Sequence, residues 1–282
     1  MATLRQIRRR IRSVQSTMQI TKAMEMLSAA KLRRAQAAAL AARRFAEATE
    51  AALARVADDT LRLGHPAFTG RPAARALVVA VASDRGLCGG FNANVVNAAG
   101  RRQRELAPVA VGLLPIGRRA LQALGSDPVL GVAPIARLED RTVLASTQAL
   151  AQRLFALYET GELDRVEFIY TRFLSTTRRV IDRQVIFPLE ALPPAAGGAY
   201  LLEPDAPRLL EALLPRYAAA RIFAILTSSL AAEHSARMLA MGNATRNAEE
   251  MIQTLTLTAN KLRQASITKE LLEIVGGSAG VS

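Results

Sequence analysis

Apolar residues recur near the start of the chain at the spacing of one face of a helix. The first of them are three or four residues apart: Leu4, Ile7, Ile11, Val14 and Met18. Steps of three and four are typical of the buried seam of a coiled coil. An apolar stripe continues, after a shift of register, at Ile20, Met24 and Leu27. No Gly or Pro interrupts residues 3–59, so the pattern predicts one helix of about 85 Å.

A second long helical pattern covers residues 207–275. Its apolar positions again step by three and four: Met241, Ala244, Ala248, Met251, Leu255, Thr258 and Leu262. Two helices with such seams need a partner, and the segment between them returns the chain, so we expect an antiparallel pair. The seams are rich in Ala, Met and Thr. This composition indicates a slender pair whose outer faces contact something else.

The middle of the chain alternates between apolar runs and helical patterns. We predict strands at 76–82, 108–116, 164–173 and 178–188, and helices at 92–105, 118–124 and 141–159. The last strand alternates in polarity and is expected near a sheet edge. The fold class is therefore α/β: a long antiparallel coiled coil of the N- and C-terminal helices plus a small Rossmann-like open α/β domain. The predicted domains are 1–60, 74–190 and 207–282.

Positive charge is concentrated at the start of the chain. The net charge is +13, and residues 1–44 hold 11 Lys and Arg against the single acid Glu25. The partner should therefore be acidic: nucleic acid, anionic lipid or an acidic protein surface. The basic helix has no aromatic residue before Phe45, so it offers no stacking platform for single-stranded nucleic acid. No apolar run reaches the roughly 18 residues of a membrane span.

The stretch SDRGLCGGFN, residues 83–92, follows an apolar strand as a phosphate-binding loop would. It lacks the Lys and hydroxyl of a Walker loop, and its Gly-x-x-Gly-Gly spacing fails the dinucleotide fingerprint. We expect a tight strand-to-helix turn with positive φ at glycine, and Asn92 as a possible N-cap. Cys88 has no imidazole base nearby in sequence, and a lone Cys forms no internal disulfide or Cys-based metal site. We therefore predict no catalytic, cofactor-binding or metal-binding residues.

Three stretches closely resemble the gamma subunit family of F-type ATP synthases, in its bacterial form. They are ITKAMEMLSAAKLRRAQ (20–36), SDRGLCGGFN (83–92) and NKLRQASITKELLEIVGG (260–277). The resemblance covers nearly the whole chain and implies the central rotor shaft, which couples ion flow to ATP synthesis or hydrolysis and carries no catalytic group. The implied partners are the alpha and beta subunits of the catalytic ring, the epsilon subunit and the membrane c-ring. It implies one copy per complex, at the cytoplasmic face of the bacterial plasma membrane.

The resemblance also implies contacts with the alpha and beta ring. Those at the N-terminal motif are Lys22, Ala23 and Met24, and those at the C-terminal motif are Arg263, Gln264, Thr268, Glu270 and Glu273. The tail from Gly276 to Ser282 would lie in an apolar bearing. Arg33 and Arg34 would face acidic loops of the beta subunits, and Cys88 would lie where the α/β domain meets the base of the shaft.

Two other function classes fit parts of the sequence. A basic coiled-coil protein that binds nucleic acid or acts as a scaffold would show salt-sensitive DNA binding. A small α/β nucleotide-binding enzyme is disfavoured, because the glycine loop lacks the phosphate-binding residues.

Overall fold

The computed structural model describes residues 3–57, 64–125, 129–138, 143–189, 192, 202–203 and 205–279, without the side chains of 269 and 273–279. The helices are α1 (Leu4–Val56), α2 (Pro66–Thr69), α3 (Phe91–Glu105), α4 (Arg118–Leu124), α5 (Val143–Glu159) and α6 (Ala206–Ala279). The strands are β1 (Arg75–Val81), β2 (Ala110–Ile116), β3 (Arg165–Phe173) and β4 (Arg179–Phe187). The chain divides into two compact units, residues 1–28 with 238–282, and residues 29–237.

The first unit is the antiparallel helix pair that the sequence predicts. Thr21 of α1 meets Thr245 of α6, with 2.9 Å between their hydroxyl oxygens, while Glu25, one turn later, lies beside Gly242. Apart from Met24, the less exposed positions of α1 in this unit form one seven-residue repeat: Leu4, Ile7, Ile11, Val14, Met18, Thr21, Glu25 and Ser28. In α6, from Met241 on, the matching repeat is Met241, Thr245, Ala248, Ile252, Leu255, Ala259 and Leu262, with Gly242 and Ala244 also less exposed beside it.

The predicted register shift in α1 is wrong. Ile20 and Leu27 are 61% and 55% exposed, and the seam instead passes without a break through Thr21 and Ser28. These two hydroxyls donate to the main-chain carbonyls of Met18 and Met24, at 3.0 and 2.7 Å. A hydroxyl with a hydrogen-bond partner is buried at small cost, so polar residues continue a seam that hydrophobicity alone does not reveal.

The predicted seam of α6 is correct at every second position. Met241, Ala248, Leu255 and Leu262 lie in it, whereas the intermediate positions fall one residue later than predicted. Met251, for example, is exposed, and Ile252 occupies the seam position instead.

The second unit is built around a four-stranded sheet of order β2-β1-β3-β4. The first three strands are parallel, and β4 runs antiparallel to β3 at the predicted edge. Residues 76–81 of β1 are all buried, which explains the continuous apolar run. Each predicted strand and helix of this region is confirmed to within two residues at either end.

Helices cover both faces of the sheet. On one face α3 packs Val95 and Ala99 against Val78 and Ala80 of β1. On the other, a larger core joins α5 to the end of α1 and the first turns of α6. No helix in the described ranges is both long enough and apolar enough to cross a bilayer.

Candidate functional site

The loop 83–92 connects the carboxyl end of β1 to α3. Gly90 is the residue that precedes α3, and it makes no side-chain cap. The expectation that Asn92 is the N-cap is therefore wrong. Asn92 lies in the first turn, and its Oδ1 accepts from the Ser83 main-chain N–H at 2.9 Å, which ties the helix back to the end of the strand. The loop is closed at its base by this bond.

The tip of the loop has two residues with left-handed backbone. Gly89 has φ +59°, as predicted for a glycine, but Leu87 has φ +62°. A leucine rarely adopts this conformation, because its Cβ crowds the carbonyl oxygen that follows. The Leu87 side chain is 60% exposed, so the tip presents an apolar group to the outside of this unit. Backbone strain of this kind is concentrated at functional positions.

The loop packs directly against α6. Cys88 is only 3% exposed, and together with Phe91 it contacts Ala232 and Ala236 of that helix. Asn92 Nδ2 lies 3.2 Å from the Cys88 sulfur. Because the Cys88 side chain is inside the unit, any contact between this loop and a partner falls to its exposed neighbours, above all Leu87.

A guanidinium of α6 binds the carbonyls of the loop. Arg237 Nη2 donates to the Arg85 carbonyl at 3.2 Å, and its Nε donates to that of Gly86 at 3.3 Å. Its Nη1 donates to Glu233, one helical turn earlier, at 2.7 Å. Burial raises the pKa of Glu233, with a smaller contribution from the negative charge of Asp84, while Arg237 opposes the shift. The pair lies in the interior of the unit.

This arrangement differs from that of a phosphate-binding loop. Phosphate-binding loops point main-chain N–H groups at the anion. Here two carbonyl oxygens of the loop face a cation that belongs to the same chain. Within the described ranges, no group of three or more His, Cys, Asp or Glu side chains is placed to hold a metal ion.

Other contacts fix the carboxyl ends of the strands. Asp84 accepts from the main-chain N–H of Arg118 and of Leu138, both at 3.2 Å. Gly117 has φ +89°, and a Cβ there would overlap the carbonyl oxygen of Ala82. The end of β3 is attached to α6, because the Phe173 N–H donates to Ser228 Oγ at 3.1 Å. Elements distant in sequence therefore meet at this edge.

The contact residues expected near the N-terminal motif lie on the outside of the helix pair. Lys22 and Ala23 are exposed and Met24 is half-buried, while the Lys22 ammonium lies 3.2 Å from Glu25. An open pocket of about 280 Å³ adjoins them, lined by Met18, Gln19, Lys22, Ala23, Met26, Thr245 and Glu249. Arg33 and Arg34, in the other unit, are also exposed.

The contact residues expected near the C-terminal motif lie beyond the paired part of α6. Among the side chains that the structure describes, Leu262 is the last seam residue, opposite the start of α1, and α6 continues to Ala279. Arg263, Gln264, Thr268 and Glu270 are exposed there. Glu273 and the predicted tail, Gly276 to Ser282, lie outside the side chains that the structure describes.

Comparisons with known proteins identify the family. The family model described as ATP synthase matches residues 3–281. The ATP synthase gamma chain of Desulfitobacterium hafniense is 39% identical over 281 residues, covering 100% of both chains. That of Moorella thermoacetica is 41% identical over 280 residues, covering 99% of both. The chain belongs to the ATP synthase gamma chain family.

Solved structures agree with this gamma chain fold. A chain of the Euglena gracilis mitochondrial ATP synthase, in a structure of OSCP, F1 and c-ring, matches with a TM-score of 0.66 and 21% identity. The match covers 99% of this chain and 94% of that one. A chain of the Tetrahymena thermophila central stalk and c-ring matches with a TM-score of 0.59 and 23% identity, over 80% of this chain and 99% of that one.

The sequence reading missed the Glu233–Arg237 pair. The signal was present, because these are two opposite charges four residues apart in the otherwise uncharged helical stretch TSSLAAEHSARMLAM. Opposite charges at this spacing face each other on a helix, and within an apolar stretch such a pair is expected to be buried. Its partners in the loop lie 151 and 152 positions away and left no local signal.

Proposed function

We propose that this chain is the central rotor shaft of an F-type ATP synthase. In this role it couples ion flow through the membrane sector to ATP synthesis or hydrolysis in a ring of alpha and beta subunits. Its identity of 39% and 41% to gamma chains over essentially the full length is the observation that carries the proposal. The chain itself is a non-catalytic subunit, and the catalytic sites lie in the beta subunits.

The helix pair has the physical properties that a shaft requires. Torque is transmitted only by a stiff element, and α1 runs for 53 residues without Gly or Pro. A rotor must also present different surfaces at different angles. The pair does so, because α6 continues past Leu262 without an α1 residue opposite it.

The proposed partners are the alpha and beta subunits, the epsilon subunit and the c-ring, with one copy of this chain per complex. The matched Tetrahymena chain comes from a structure described as central stalk and c-ring, and the Euglena chain from one described as F1 and c-ring. The strongly basic start of α1, where residues 1–44 hold 11 Lys and Arg, suits acidic protein surfaces. The chain would then lie, as a peripheral subunit, at the cytoplasmic face of a bacterial plasma membrane.

The proposed ring contacts are the exposed side chains of the two family motifs. They are Lys22, Ala23, Arg33, Arg34, Arg263, Gln264, Thr268 and Glu270, with Met24 half-buried beside them. Glu273 stays a prediction from the family resemblance. For Cys88 we propose an indirect role, in which its buried side chain supports the exposed tip of the loop.

Purification from membranes tests the assignment. A tagged version of this chain is expected to bring down alpha and beta subunits in equal number, three of each per copy of the chain. Stable binding to DNA without these subunits, weakened steeply by salt, would support the nucleic-acid alternative instead.

A charge reversal tests the proposed role of the basic helix surface. Arg33→Glu with Arg34→Glu is expected to lower ATP-driven proton pumping relative to ATP hydrolysis, because both side chains would then repel acidic loops. Reversal of Arg153, an exposed arginine on α5, serves as the control. Unchanged coupling in the double variant would contradict the proposed contact.

A further inference from the structure

We infer that Arg237 is a positioning residue that fixes the tip of the loop 83–92 to helix α6. Three nitrogens of one guanidinium bind three different acceptors: the carbonyls of Arg85 and Gly86, and the carboxylate of Glu233. The two carbonyls directly precede Leu87, the residue with left-handed backbone. The guanidinium thus holds the tip immediately before its exposed apolar side chain.

The geometry requires an arginine. A guanidinium carries five N–H donors in a rigid planar fork, so it can bind two carbonyls and a carboxylate at the same time. An ammonium at this position is a single point charge on a flexible stem and does not reproduce the fork. Glu233 orients the fork, because its bond of 2.7 Å holds the third nitrogen, Nη1.

The apolar contacts of the loop with α6 are small, so the bonds of Arg237 make an important contribution to holding the loop on the helix. On the helix side the apolar contacts involve the small side chains of Ala232 and Ala236, which contact Cys88 and Phe91. Alanine offers little apolar area, and apolar burial stabilises in proportion to area. The base of the loop is held separately, by the bond between Ser83 and Asn92. The Arg85 carbonyl also accepts from Ser83 Oγ at 2.6 Å, within the loop itself. Loss of Arg237 would therefore detach the tip from α6, above all at the Gly86 carbonyl, while the base stays in place.

A fixed tip has a mechanical consequence, which rests on the proposed rotor function. A partner subunit that meets Leu87 meets a surface attached to α6, the helix that continues into the coiled coil. A force on the tip is then passed to the helix directly. With the tip released, part of that displacement would move the loop alone, and coupling would fall.

Hydrogen exchange of the assembled complex tests the attachment separately from the rotor function. In Arg237→Gln, peptides covering the tip should exchange about tenfold faster, because a charged hydrogen-bonded group no longer holds it. Peptides from the sheet core should not change. Arg237→Lys, which keeps the ion pair with Glu233 but loses the fork, should be intermediate. Arg153→Gln is the matched control, since Arg153 also donates to a loop carbonyl, that of Leu130, but is exposed.

Coupling is measured on the same variants as proton pumping per ATP hydrolysed. We expect the ratio to fall in Arg237→Gln, less in Arg237→Lys, and not in the control. If the tip of Arg237→Gln exchanges no faster than the tip of the control variant, the proposal that Arg237 attaches the tip to α6 is overturned. Faster exchange with unchanged coupling would overturn the mechanical role but leave the attachment standing. If Arg237→Gln fails to assemble, hydrogen exchange at the tip and the coupling ratio are measured on Arg237→Lys, and the same outcomes support or overturn the proposal.

Discussion

Removal of the Arg102 side chain should strongly destabilise the α/β unit. Glu167 of β3 is completely buried, and Arg102 of α3 binds both of its oxygens, Nε at 2.7 Å and Nη2 at 2.8 Å. Arg165, two residues from Glu167, forms a second ion pair with the same carboxylate. Burial alone raises the pKa of Glu167, but the hydrogen bonds from Arg102 and Arg165 outweigh it and lower the pKa overall. The Glu167 carboxylate is therefore charged, and its burial is tolerated only because Arg102 and Arg165 bind it.

The size of the effect follows from what Arg102→Ala leaves behind. Breaking a buried ion pair on one side typically costs about 3–5 kcal/mol, because the remaining charge is buried without compensation. Arg165 still binds Glu167, so we expect the lower end, about 3 kcal/mol. Arg153→Ala, an exposed arginine of the same unit, should change the free energy of unfolding by less than about 0.5 kcal/mol.

Tyrosine fluorescence provides an assay specific to this unit. The chain has no Trp, and its four Tyr all lie between residues 29 and 237. Denaturant unfolding followed by this signal therefore reports the unit formed by residues 29–237. A loss below about 1 kcal/mol for Arg102→Ala would refute the reasoning, since that is the size of an ordinary exposed contact.

The pH dependence supplies a second check on the same residue. A carboxyl whose folded pKa is lowered stabilises the fold above its ordinary pKa, here 4.5, and this contribution is lost as the pH falls through the folded value. The difference in free energy of unfolding between the wild type and Glu167→Gln should therefore shrink below pH 4.5. A difference that grows with acidity would show that Glu167 is protonated in the fold.

Three further substitutions test other parts of the structure. Gly117→Ala should cost more than about 2 kcal/mol by the same tyrosine assay, because φ is +89° and the new Cβ would overlap the Ala82 carbonyl. Thr245→Val should lower the stability of the helix pair by about 1 kcal/mol in circular dichroism melts, since it removes the buried hydrogen bond to Thr21. If the two hydroxyls act together, the double variant Thr21→Val with Thr245→Val should be only slightly less stable than Thr245→Val alone. Cys88→Ala should leave ATP synthesis in membrane vesicles nearly unchanged, because the thiol is a small buried group, and a large loss would contradict this role.

The strands of the sheet were predictable because their hydrophobic patterns differ clearly from those of the neighbouring helices. Buried parallel strands read as continuous apolar runs, as 76–82 does, and the more polar β4 indicated an edge. The order β2-β1-β3-β4 was not predictable in the same way, since strand pairing is set by contacts between residues far apart in sequence.

The helix pair shows where reasoning from hydrophobicity alone fails. Thr21 and Ser28 occupy seam positions, and the apolar Ile20 and Leu27 beside them are exposed. A strict seven-residue count from Ile7 would have found the hydroxyl positions, because it passes through Val14 to Thr21 and Ser28. The exposed apolar residues are themselves informative, since surfaces of this kind are typical of contacts with other proteins.

Helix α6 lies where ligands bind in many other open α/β folds. In open α/β sheets, ligands bind outside the carboxyl ends of the strands, where the connections change from one face to the other. Here α3 follows β1 on one face of the sheet, and α5 precedes β3 on the other face. The position at which the connections change faces therefore lies between β1 and β3. It is filled by the chain's own helix, as Ser228 binds the end of β3 and Arg237 the loop after β1. The position that receives a ligand in other open α/β folds is thus occupied here by contacts of the sheet with α6.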